Sequence, residues 1–161
     1  MGDGTLDEFK DNGLICDEIT PTIGSEIISN GTFTGNATGW TLGSPWAYDD
    51  NNISIDGSQS GNVSLTQAGY TAGKCYRVEF EISDYSAGNI NPHIRGNNSG
   101  NTNANGIHIS YIISGASTDN VNLYSDSGFD ASVDNISCKQ IGGNPGVMKN
   151  MAAVDFERDT P

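Results

Sequence analysis

Eleven residues near the middle of the chain, Gly73-Lys74-Cys75-Tyr76-Arg77-Val78-Glu79-Phe80-Glu81-Ile82-Ser83, alternate between apolar and polar positions without a break. Tyr76, Val78, Phe80 and Ile82 fall on one side, and Cys75, Arg77, Glu79 and Glu81 on the other. Aromatic and β-branched residues on one face with charges on the opposite face specify a strand of an antiparallel sheet buried on one side, not a helix. Such a strand cannot stand alone, so the rest of the chain must supply partners for its apolar face.

The chain has 161 residues, enough for a single core and too few for two ordinary domains. Gly occurs 21 times and only 17% of residues are charged, a composition that suits short strands joined by many turns. The net charge of −13, with only 7 Lys and Arg, argues against nucleic acid and against an anionic membrane surface as partners. No stretch approaches the roughly 20 apolar residues of a membrane span, and the opening Met1-Gly2-Asp3-Gly4 does not read as an export signal. Cys16, Cys75 and Cys138 match no zinc-binding spacing and read as free thiols.

Residues 1–25 carry acids, Gly and Pro among isolated apolar positions and read as an irregular arm. Glu26–Phe33 reads as the first strand. The pairs Ile53/Ile55 and Val63/Leu65 alternate with polar residues around a Gly57–Gly61 turn. Ile90, His93 and Ile94 form a strand that Pro92 marks as an edge or a bulge. Residues 97–105, almost all Asn, Gly, Ser and Thr, read as an exposed loop. Ile107, Ile109, Tyr111 and Ile113 alternate in their turn and are expected to face the core, opposite the central strand. Val121, Leu123 and Val133–Ile141 close the series, and residues 142–161 form a tail. Turn signals every 8–12 residues and no helical period predict an all-β chain, an antiparallel β-sandwich or barrel.

Several of these segments taken together resemble a known group. Asn30-Gly31-Thr32-Phe33, Gly39-Trp40, Trp46, Leu65-Thr66-Gln67, Gly73-Lys74-Cys75-Tyr76 and Val133-Asp134-Asn135-Ile136-Ser137 are similar to the jelly-roll domains related to carbohydrate-binding modules, which recur in bacteriophage virion proteins. The resemblance covers about residues 26–141, and the tail Gly143–Pro161 is similar to short tails that follow such domains in phage proteins. It implies a non-catalytic virion component assembled in the host cytoplasm, a head decoration or cement protein or a tail appendage. Its terminal segments would contact major capsid or tail proteins, its jelly roll would bind host glycans, and it would form a homo-oligomer. The alternative is a carbohydrate-binding module of a secreted glycan-degrading system.

A sugar site in such a fold stacks aromatic faces on C–H groups and meets hydroxyls with amides and carboxylates. Trp46 and Tyr48, two residues apart on one strand, are the first pair expected, with Tyr85 and His93 as further ligand-binding candidates; Trp40 and Tyr111 read as core. The resemblance also implies a structural Ca2+ at Asp134. Thr32 and Thr34 stand where relatives often carry acids, so that site would lean on backbone carbonyls. Catalysis is not expected: neither His93 nor His108 neighbours an acid or a nucleophile in sequence. Glu79 and Glu81, about 7 Å apart by strand rise, read with Arg77 as a solvated face.

Overall fold

The computed structural model describes residues 22–94, 96–115 and 120–142. These form eleven strands and no helix: β1 (Thr22–Glu26), β2 (Thr41–Leu42), β3 (Ala47–Asp49), β4 (Asn52–Asp56), β5 (Val63–Ala68), β6 (Cys75–Ala87), β7 (Ile90–Ile94), β8 (Asn97–Asn98), β9 (Gly106–Ile113), β10 (Asn120–Ser125) and β11 (Asp130–Gly142). One sheet runs β3-β4-β11-β6-β9, with β1 also on β11, and the other runs β2-β5-β10-β7-β8. The eight strands β4 to β11 pair as a nested set, β4 with β11, β5 with β10, β6 with β9 and β7 with β8. Folding such a set over itself places alternate pairs in opposite sheets, which is the jelly-roll winding of an antiparallel β-sandwich.

The central strand behaves as its period requires. Tyr76, Val78, Phe80 and Ile82 of β6 are at most 1% exposed. They meet Val133, Ile136 and Cys138 of β11 and the inward residues of the second sheet, Leu65, Ile90, Ile94, Val121 and Leu123. The inward parity of β11 changes between Val133 and Ile136 because a bulge intervenes at Asp134–Ser137, where Asn135 takes φ 52°.

Three strand expectations are revised. The first strand ends at Glu26, so it begins within the stretch read as arm, and Ile27–Phe33 is a run of turns with Asn30 and Phe33 at positive φ. Pro92 lies inside a strand flanked on both sides, not at an edge. Ile90 exchanges backbone hydrogen bonds with Thr102 and Ile94 pairs with Asn97, so the proline's missing N–H falls between these contacts, on the thinly paired side away from β10.

The third revision is larger. Residues directly opposite in a ladder share a face, and the register Tyr76↔Ile112, Val78↔Ser110, Phe80↔His108 turns the even-numbered residues of β9 inward. Ile107, Ile109, Tyr111 and Ile113 therefore face solvent, at 65, 49, 63 and 56% exposure. Buried Ser114 pins this register. Its N–H donates to Lys74 O (2.8 Å), its Oγ accepts from Lys74 N–H (3.0 Å), and its hydroxyl reaches the carbonyls of Thr71 and Lys74 (3.0 and 3.1 Å). A slip of one residue would break all of these bonds.

Cys75 and Cys138 are free thiols. Cys138 is fully buried, and that burial, with Glu26 nearby, pushes its thiol up to about 12. Maleimide labelling of the native protein followed by peptide mapping is expected to leave Cys138 unmodified until denaturant is added, whereas partly exposed Cys75 reacts as the pH is raised.

Candidate functional site

The outer face of the second sheet carries a groove of about 640 Å³ lined by Asn62, Asn89, Asn91, His93, Gly96, Asn101, Asn122, Tyr124, Ser125 and Asp126. Strand alternation builds it. In β10, Val121 and Leu123 point into the core while Asn122 and Tyr124 point out; in β7, Ile90, Pro92 and Ile94 are buried and Asn91 and His93 face out. The register sets Asn122 opposite His93 and Tyr124 opposite Asn91, so the two rings are diagonal neighbours. His93 and Tyr124 meet edge to face with centroids 4.7 Å apart.

The polar rim is braced. Thr66 Oγ1 donates to Asn122 Oδ1 (2.8 Å), and Asn91 Nδ2 to Asn101 Oδ1 (3.1 Å). Asn89 Nδ2 donates to Asp126 Oδ2 (2.7 Å) and Gly128 N–H to Asp126 Oδ1 (3.2 Å). Burial pushes the Asp126 carboxyl up, but these bonds, with contributions from the Asn89 and Phe129 backbone, outweigh it and hold the group below its ordinary value. Burial lowers His93, so its ring is neutral at pH 7. From below, buried Gln59 Nε2 donates to Asp126 O (2.8 Å) and Phe129 O (2.9 Å), fixing the loop that ends the groove.

Of the ligand-binding candidates, only His93 lines this groove. Trp46 is a core residue, 4% exposed with its ring 5.9 Å from Phe129, and it offers no face to a ligand. The strand step that was expected to join it to Tyr48 does not do so, because Trp46 precedes β3 and turns inward while Tyr48 stays at the surface of the other sheet. The Tyr48 hydroxyl accepts from Asn51 N–H (3.1 Å). Tyr85 packs on Phe129 (6.3 Å) and donates to Gly88 O (3.0 Å). Trp40 is half-buried against Phe33 and donates from Nε1 to Asn30 O (3.1 Å). The residues missed from sequence are Asn91, Asn122 and Tyr124; the signal for them was the shared parity of Asn91 with His93 and of Asn122 with Tyr124.

A second groove of about 570 Å³ lies on the other sheet, along Glu26, Glu79, Glu81, Asn135, Ser137 and Lys139. Its carboxylates are engaged. Glu26 accepts from the Ile28 and Cys138 amides (3.0 and 2.7 Å) and the Ser137 hydroxyl (2.5 Å), Arg77 pairs with Glu79, and Asn135 donates to Glu81 (2.8 Å). None of its lining side chains is an exposed aromatic.

Asp134, the residue expected to hold Ca2+, stands opposite Glu81 in the ladder, and its Oδ1 is buried without a hydrogen-bond partner among the described residues. Among the described residues no three His, Cys, Asp or Glu come together to hold a metal. Burial first, and the like charge of Glu81 as a lesser cause, raise the Asp134 carboxyl above its ordinary value.

No family model matches the chain, and no curated protein does. Among solved structures, the enzymatically active domain of bacteriophage CBA120 tailspike protein 4 is similar at 16% identity and TM-score 0.48, over 72% of this chain; the chain spans only about a fifth, 21%, of that protein. The second N-terminal cellulose-binding domain of Cellulomonas fimi β-1,4-glucanase C is similar at 13% identity and TM-score 0.49, over 73% of this chain and 95% of that one. A xylan-binding domain of Paenibacillus barcinonensis is similar at 12% identity and TM-score 0.43, over 77% and 97% of the two chains.

Proposed function

We propose that this domain is a non-catalytic carbohydrate-binding module that holds a glycan in the β10–β7 groove. The observation that carries this reading is the His93–Tyr124 ring pair set among the amides of Asn62, Asn89, Asn91, Asn101 and Asn122. Aromatic rings take the C–H face of a sugar, and amides, each both donor and acceptor, match hydroxyls that are both as well. The groove volume lies in the range of about 300–1,000 Å³ usual for small-ligand sites. Among the described residues Asp126 is the sole acid lining it, which favours binding over hydrolysis, since glycoside cleavage uses a pair of carboxylates. The sequence resemblance favours a virion appendage as the setting over a secreted degradative system. Mass spectrometry of purified particles tests that setting, and absence of the chain from them would remove it.

A glycan array probed with the unmutated protein and with Tyr124→Ala tests the binding itself. Retention of at least one glycan class is expected, with affinity reduced about tenfold or more in the variant, the worth of one good stacking contact. Because binding uses the neutral imidazole and burial lowers His93, affinity should hold constant down through pH 7 and fall only below the ordinary imidazole range near about 6.5. An array with no retained glycan, or a Tyr124→Ala protein that binds undiminished, would sink the proposal.

A further inference from the structure

We propose that a second copy of this chain pairs with β9, antiparallel and edge to edge, so that the larger sheets of two copies become one. Among the described residues, strand β9 ends its sheet, with β6 on one side and no strand on the other. Ser114 N–H donates to Lys74 O, so in an antiparallel ladder the even-numbered residues of β9 bond to β6 and the odd-numbered ones direct N–H and C=O to the open edge. Asn97 Nδ2 donates to Ile113 O (2.7 Å), in accord with that phase, and occupies the far end of the edge. Ile107, Ile109 and Tyr111 thus combine outward-facing apolar side chains with outward-facing backbone groups, the two requirements for strand addition.

Self-complementarity selects a second copy as the occupant, because this uncharged edge is where two acidic copies can approach and it pairs with itself about a two-fold axis. Each chain carries −13, so copies repel across most of their surfaces. Gly106–Ile113 has no Asp, Glu, Lys, Arg or Pro, the residues that normally keep long edges apart. The opposite edge carries Asp49 and Glu26, and the second sheet ends in strands of two residues. With a two-fold axis at Ile109, its N–H and C=O bond those of its counterpart, and Ile107 lies beside Tyr111 of the other copy, a favourable aromatic and β-branched pair. The acids on β6 of the two copies then stand three strand spacings apart, about 14 Å, beyond the screening length of ~8 Å at physiological salt. The pairing uses both edges and closes at two copies.

Sedimentation velocity on the full chain, with amide exchange, tests this. A dimer is expected at concentrations up to about 100 μM, tightening as salt rises from about 0.02 to 0.2 M, because the copies repel. Ile109→Lys, which adds a charge to an exposed position and sets two ammonium groups face to face across the axis, should raise the dissociation constant about tenfold or more and leave the melting temperature of the dilute monomer unchanged. The Ile107, Ile109 and Tyr111 amides should be protected in the dimer and exchange quickly on dilution. A monomer throughout that range, a dimer indifferent to Ile109→Lys, or open-ended growth would overturn the proposal. So would amides already protected in the dilute monomer, which would place the chain's own residues on the edge, or protected only after another protein is added, which would assign the edge to a foreign strand.

Discussion

Gly88→Ala is expected to destabilise the domain by about 2–5 kcal/mol. Gly88 holds φ +76°, and a Cβ built there would lie 2.3 Å from Phe129 N, 2.4 Å from Phe129 Cα and 2.5 Å from Gly128 C. An L-residue in the left-handed region costs about 1–2 kcal/mol, and forcing two backbone segments apart in a packed interior costs about 1–3 kcal/mol more. The displaced segment is the loop of Asp126 and Phe129, which Gln59 holds from the other side, so the groove should widen at its Asp126 end and lose affinity together with stability. Gly73→Ala is the matched control. Gly73 has φ +70° with nothing within 4 Å of the added Cβ, so it should show only the conformational cost of about 1–2 kcal/mol. Urea unfolding of the two variants side by side checks this, and equal losses would show that the Gly88–Phe129 approach carries no weight.

Trp46→Ala should cost about 3–5 kcal/mol, the range for truncating a buried aromatic. Its ring packs against Phe129, which is itself fully buried, so the cavity opens in the centre of one end of the core. Trp46→Phe should lose less, about 1–2 kcal/mol, because it keeps an aromatic ring against Phe129 and removes an Nε1–H that has no acceptor among the described residues. Where both variants are folded, neither should change glycan affinity, whereas Tyr124→Ala should change affinity and not stability. A Trp46→Ala protein of normal stability that fails to bind would reverse these assignments.

The strand β6 was legible because its faces differ in kind: apolar residues against charges leave one way for it to sit. The same reasoning failed at β9, where both parities carry isoleucine and the choice fell to a serine hydroxyl outside the strand. Hydrophobic alternation could not weigh the Ser114 bonds, which come from a turn 40 residues away in sequence. Trp46 misled in a related way. Aromatic residues are equally suited to a core and to a sugar, and what separates the two roles here is the reach of Phe129 from a distant loop. His93 was legible as a polar ring on an alternating strand, but its partner Tyr124 lies on a strand adjacent only through the jelly-roll crossover. The Ca2+ expectation rested on a single carboxylate, Asp134, and no group of three His, Cys, Asp or Glu forms among the described residues.

The pairing of β1 with β11 also bears on how the domain can be joined to other sequence. A Cβ at Gly24 would lie 2.9 Å from Gln140 O, so the first and last strands described are stitched side by side, in the sheet that does not carry the groove. A short linker could therefore close the chain from β11 back to β1. New ends opened in the exposed polar loop of residues 99–101 would then give a circular permutant with every strand pair intact, its junction on the sheet away from the groove and its new ends at the Asn101 rim.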